Sequence, residues 1–90
     1  MPKKIFHESL KELQTELKKT RFIDKVKKEF SDSLLNEVQT VLEHPGEVPF
    51  LHHYNLMNRL KEAALHFEAS HPDLTELVVR VTDSLNRMGI

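Results

Sequence analysis

Apolar residues recur along this chain at intervals of three and four, which is the period of an α-helix with one buried face. The first such stripe is formed by Phe6, Leu10, Leu13 and Leu17. It predicts a helix from about Lys3 to Lys19. Asp24 is a favourable N-cap residue, so a second helix is predicted to begin there after a break near residue 21. One continuous helix through to His44 remains an alternative.

The second helix has a wide apolar face. We expect its inward stripe to consist of Ile23, Val26, Phe30, Leu34 and Val41. At about 100° per residue, a second group spreads round the side of the same helix, namely Leu35, Val38 and Leu42. This width suggests contact with more than one neighbour. Pro45-Gly46 ends the helix and gives the clearest break in the chain.

The remaining sequence predicts two more helices. The third runs from about Leu51 to Ser70, with an inward stripe of Leu56, Met57, Leu60, Ala64 and Phe67. Ser70 and Asp73 match a capping box for the fourth helix, Pro72 suits its first turn and Gly89 its end. The fourth stripe is Leu74, Val78, Val81, Leu85 and Met88. The predicted fold is all-α, with four helices arranged as two antiparallel helical hairpins in a small four-helix bundle.

The composition fits one small domain over residues 1–90. A chain of this length buries a modest core, so association with a partner would add stability. It has no Cys, which is typical of a reducing compartment and leads us to expect a cytoplasmic protein. The N-terminus becomes charged before any apolar signal region develops, and no stretch is long enough to predict a membrane span.

One cluster of basic residues stands out against the formal net charge of −1. It consists of Lys18, Lys19, Arg21, Lys25, Lys27 and Lys28, around the predicted first corner. Contact with nucleic acid or an anionic membrane surface is one interpretation. Interleaved acids such as Glu16 and Glu29, the pI near 6.6 and the lack of an aromatic platform favour a solvated corner instead.

The sequence offers no catalytic, cofactor or metal site that we can defend. There is no Cys, no Ser in a Gly-flanked elbow and no phosphate-binding glycine loop. Glu62 with His66, and Glu68 with His71, resemble half of a carboxylate–histidine di-iron pattern, but the second half is missing. His52-His53 is better explained as a loop-to-helix transition than as a ligand pair. We therefore expect a protein that is not an enzyme and binds no cofactor.

Two resemblances follow from particular motifs. Leu10-x-x-Leu13-x-x-x-Leu17, Phe67-Glu68-Ala69-Ser70-His71-Pro72 and a terminal Met88-Gly89-Ile90 resemble a family of short bacterial helical proteins known only as a domain of unknown function. The resemblance covers nearly the whole chain but implies no activity, and the run from Lys18 to Lys28 is more basic than is usual in that family.

His71-Pro72-Asp73 resembles the tripeptide by which J-domain co-chaperones stimulate an Hsp70 partner. The J-domain has a strongly basic helix before the tripeptide, whereas the preceding residues 59–68 here are mixed in charge. A cap, a helix-starting Pro and a first-turn acid explain these residues structurally.

Several apolar residues are surplus to a four-helix core, and they suggest an interface: Leu35, Leu42, Tyr54, Leu65 and Val79. We therefore expect a small interaction module that self-associates or binds another helical protein. The alternative structural interpretation is that the second helix uses its wide face within one bundle. The alternative function is contact with nucleic acid or an anionic membrane through the basic corner.

Overall fold

The computed structural model describes residues 2–43 and 50–87, with side chains over residues 4–43 and 54–87. It contains the four helices α1 (Pro2–Lys19), α2 (Lys25–Glu43), α3 (Phe50–Phe67) and α4 (Pro72–Arg87). Each helix packs against the next, and α4 returns to pack against α1, whereas no Cα atoms of the diagonal pairs come within 8 Å of each other among these residues. The predicted all-α four-helix bundle is confirmed. The predicted signals Pro45-Gly46 and Gly89 lie outside the described residues.

The break between α1 and α2 is real, so the continuous-helix alternative is excluded. Residues 20–24 are not helical. The backbone N–H and the hydroxyl of Thr20 both donate to the carbonyl oxygen of Glu16, at 3.0 and 2.6 Å. The Oδ1 of Asp24 accepts hydrogen bonds from the backbone N–H groups of Val26 (2.8 Å) and Lys27 (3.2 Å). Asp24 is therefore the predicted N-cap of α2, satisfying donors that have no partner inside the helix.

The predicted stripes of α1, α3 and α4 form one shared core. Phe6, Leu10, Leu13 and Leu17 are buried in α1, and Leu74, Val78, Val81 and Leu85 in α4. In α3 the buried residues are Leu56, Met57, Leu60, Ala63 and Phe67. Ala64, which we expected to point inward, is only partly buried and packs at the margin of the core.

The inward face predicted for α2 is wrong in its first two members. Ile23 is fully exposed at 103% and Val26 is exposed at 64%, whereas the buried residues of α2 are Ser31, Leu34, Val38 and Val41. Because Asp24 is the N-cap, Ile23 lies just before the helix. A residue at this position is commonly buried against an apolar side chain at the fourth residue of the helix, in a hydrophobic staple. The fourth helical residue is Lys28, so Ile23 has no apolar partner for a staple.

The corner between α3 and α4 begins earlier than predicted, because α3 ends at Phe67 and not at Ser70. The N–H of His71 bonds to the carbonyl of Phe67 at 2.7 Å, and the carbonyl of His71 accepts from the N–H of Thr75 at 3.1 Å. Helix α4 therefore starts at Pro72, one residue later than the predicted cap at Ser70 implies, although Pro72 lies in its first turn as expected. The expected Ser70–Asp73 capping box does not form, since the side chain of Ser70 has other partners, described below.

Candidate interaction surfaces

The outer side of the α3–α4 hairpin carries a shallow apolar groove of about 500 Å³. We call this surface the α3/α4 face and define it by Lys61 and Leu65 on α3 and Val79 and Asp83 on α4. Leu65 is 78% exposed and Val79 is 47% exposed. The floor of the groove is formed by Leu60, Ala64 and Val78. Two of the residues predicted for an interface therefore lie side by side.

Charged residues flank this groove with opposite signs. Lys61 on α3 and Asp83 on α4 line one part of it, and Glu68 lines it near the corner. Neither Lys61 nor Asp83 takes part in an ion pair within residues 4–43 and 54–87, where the ion pairs join Arg80 to Glu12 and Glu76, and Arg59 to Glu62. Because α3 and α4 run antiparallel, the step from Leu65 back to Lys61 on α3 and the step from Val79 on to Asp83 on α4 lead in the same direction along the groove.

The other predicted interface residues are placed differently. Leu35 and Leu42 are half-buried and pack against the core. This agrees with the alternative interpretation, in which α2 uses its wide apolar face within one bundle. Tyr54 is 52% exposed. It precedes Leu65 by eleven residues, or about three helical turns, so both point to the same side of α3.

The basic corner lies at the end of the bundle where the two hairpin connections meet. Lys18, Lys19, Arg21, Lys25 and Lys28 are exposed, and Lys27 is half-buried. None of the six belongs to an ion pair among the side chains that the structure describes. Lys27 instead donates from Nζ to Oγ of Ser70 at 2.8 Å, which ties the start of α2 to the second corner.

The corner at His71-Pro72-Asp73 is built around a cluster of aromatic rings. The ring of Phe22 lies 5.5 Å from that of the buried Phe67 and 4.8 Å from that of His71. The Oγ of Ser70 also shares a hydrogen bond with Nδ1 of His71 at 2.9 Å. Phe30 stacks on His66 with ring centres 4.5 Å apart. These contacts give the distinctive C-terminal segment a structural role, the joining of two corners.

Candidate metal ligands do not converge in the part of the chain that has described side chains. No group of three or more His, Cys, Asp or Glu residues stands close enough there to hold an ion. His66 and His71 pack against Phe30 and Phe22 respectively. The side chains of His52 and His53 lie outside the described set.

Sequence reasoning missed two features of these surfaces. The exposure of Ile23 could have been deduced from the Asp24 cap followed by Lys28. The placement of Lys61 and Asp83 on one groove depends on how α3 packs against α4, which no local sequence pattern indicates. Within residues 2–43 and 50–87, no helix combines the length and apolar character needed to cross a bilayer.

Comparison with known proteins gives one match. The family model described as Domain of unknown function (DUF4404) matches residues 6–90. No curated protein and no solved structure matches the chain.

Proposed function

The chain belongs to the family described as Domain of unknown function (DUF4404), and we propose that it is a non-enzymatic helical module that associates with a second copy of itself. The α3/α4 face is the proposed interface. The observation that supports it best is the exposure of Leu65 beside Val79 above an apolar groove. An apolar patch of this kind on a small soluble domain commonly marks an interaction site.

The arrangement of the α3/α4 face favours a two-fold dimer. In such a dimer one patch contacts itself, so each residue meets a different residue of the same patch. If the axis runs parallel to the helices between the two faces, α3 of one copy lies over α4 of the other at the same height. Leu65 then meets Val79 of the second copy, and Lys61 meets its Asp83. These two pairings are therefore complementary, the first in apolar character and the second in charge.

The size of the bundle is compatible with this interface. Its extents are 35 × 20 × 19 Å, so one side offers a geometric area close to the roughly 800 Å² per partner of standard interfaces. A domain of this length buries a limited share of its surface, so burial of one further side would stabilise it. The self-complementary charge pattern favours a second copy over a different helical protein.

Sedimentation equilibrium with a matched pair of variants tests the proposal. Leu65→Gln should weaken dimerisation by about tenfold or more, because it removes an apolar contact at the centre of the patch. Ile5→Gln is the control, since Ile5 is as exposed as Val79 but lies on α1. Its dimerisation constant should stay unchanged.

Charge reversal tests the symmetry. Lys61→Asp and Asp83→Lys should each weaken the dimer, because each places like charges opposite one another. The double variant should recover most of the wild-type affinity. A wild-type protein that is monomeric at the highest attainable concentration, or a double variant no tighter than the singles, refutes the proposed interface.

Two expectations remain predictions. The first is a cytoplasmic location, which rests on the cysteine-free composition, and the second is that the protein has no enzymatic activity. Turnover of a substrate by the purified dimer, lost in a point variant with unchanged stability, would contradict the second of these.

A further inference from the structure

The end of the bundle opposite the start of α1 and the end of α4 combines exposed aliphatic side chains with a cluster of positive charge. We call residues 18–28 the basic tip. It contains six basic residues and one acid, Asp24. Ile23 at its centre is 103% exposed, and Val26 in the adjoining first turn of α2 is 64% exposed. Neither residue belongs to the core cluster.

The charges of the basic tip are available to a partner. None of its Lys or Arg side chains is neutralised by an ion pair among the described residues. The acid at the centre, Asp24, is already committed to the backbone N–H groups of Val26 and Lys27. Its negative charge is therefore partly balanced by the N-terminus of α2, which carries partial positive charge.

The core holds the tip in place. Phe22 is half-buried and packs on Phe67 and His71, while the next residue, Ile23, projects into solvent. Because the packing of Phe22 already fixes the backbone next to Ile23, binding through Ile23 costs little further conformational entropy of the chain. Exposed Glu68 and Asp73 on the neighbouring corner would repel an anionic surface, which restricts contact to the basic tip.

We propose that the basic tip binds the surface of an anionic lipid bilayer, with Ile23 inserted among the headgroups and the surrounding Lys and Arg side chains on lipid phosphates. Juxtaposed aliphatic and basic residues suit this partner, because a bilayer presents an apolar region directly beneath its anionic groups. A nucleic acid rewards basic residues together with stacking aromatics, and the exposed apolar residues here are aliphatic. The proposal does not depend on dimerisation.

Vesicle co-sedimentation with the full chain tests this inference, using equal parts phosphatidylglycerol and phosphatidylcholine at low salt and pure phosphatidylcholine as the uncharged comparison. Binding to the anionic vesicles should fall about tenfold for Ile23→Ser, because the inserted apolar surface is lost. Binding should fall by an order of magnitude or more for the double variant Lys18→Gln/Lys19→Gln, because each charge removed should weaken it by about fivefold. The matched control is Lys4→Gln with Lys11→Gln, which removes two exposed charges from α1 away from the tip and should have little effect.

Three outcomes would overturn the proposal. The first is no binding to the anionic vesicles at low salt. The second is an equal loss of binding in the control variant, which would indicate attraction to overall charge and not to the tip. The third is binding of a DNA duplex that depends on Lys18 and Lys19 but is unchanged by Ile23→Ser, which would identify nucleic acid as the partner. Circular dichroism of each variant verifies that it is folded.

Discussion

Replacing Phe67 should show how much of the fold depends on the junction of the two corners. Its side chain is fully buried. The centre of its ring lies 5.5 Å from that of Phe22, 6.1 Å from that of Phe30 and 5.9 Å from that of His71. Truncation of a buried Phe to Ala costs about 3–5 kcal/mol, through lost burial and the cavity left behind. A domain of 90 residues has a free energy of unfolding of about 5–13 kcal/mol, so Phe67→Ala should remove a large part of it.

Urea unfolding followed by far-ultraviolet circular dichroism measures this loss. The matched control is Val26→Ala on the exposed start of α2, which should change the free energy of unfolding by less than about 0.5 kcal/mol. A double-mutant cycle of Phe67→Leu with Phe22→Leu should reveal a coupling of about 0.5–1.5 kcal/mol between the two rings. A loss below about 1 kcal/mol for Phe67→Ala would refute the packing described for this junction.

Two further substitutions test the local structure. Asp24→Ala should reduce the free energy of unfolding by about 1 kcal/mol, because two backbone N–H groups of α2 lose their acceptor, whereas Asp24→Ser should retain most of it. Equal stability of the Ala and Ser variants in urea unfolding would contradict the cap. Leu42→Glu should destabilise the monomer by about 1–3 kcal/mol, because Leu42 packs against the core. A Leu42→Glu variant of normal stability that fails to dimerise would instead place Leu42 in the interface.

Helical periodicity was sufficient to predict most of this fold. The stripes of α1 and α4 are regular because each helix presents a single face to the core, so that spacings of three and four identify its buried residues. The start of α2 was predicted from the Asp24 cap, but the exposure of Ile23 and Val26 was not, because periodicity does not indicate how far along a helix its neighbours cover the apolar stripe. Ile23 and Val26 continue the stripe of α2 in phase, but the cap at Asp24 leaves them beyond the region covered by other helices.

The surfaces could be predicted only in part. Leu65 and Val79 were identified from the sequence because each lies off its own helical stripe. Their placement side by side depends on the pairing of α3 with α4, which is a tertiary property. Leu35 and Leu42 also lie off the main stripe, yet they are half-buried and pack against the core. The hydrogen bond between Lys27 and Ser70 joins residues far apart in the sequence, so no local sequence pattern predicts it.

The direction of the proposed two-fold axis connects the dimer with the bilayer contact. An axis parallel to the helices places both basic tips at the same end of the dimer, so two copies of Ile23 would face one membrane. Binding of the second tip then becomes intramolecular, which should raise apparent affinity at least about tenfold over a single tip. Leu65→Gln should therefore weaken binding to anionic vesicles at protein concentrations where the wild type is dimeric, although the tip itself is intact.

An axis perpendicular to the helices predicts the opposite result. The two tips would then lie at opposite ends of the dimer, and the wild type would cross-link vesicles, which light scattering detects as clustering. Vesicle clustering by the wild type but not by Leu65→Gln would refute the parallel axis while leaving both surfaces in use. Equal binding by the two proteins without clustering would show that the tips act singly, because a dimer with paired tips cannot bind one bilayer as weakly as a monomer does.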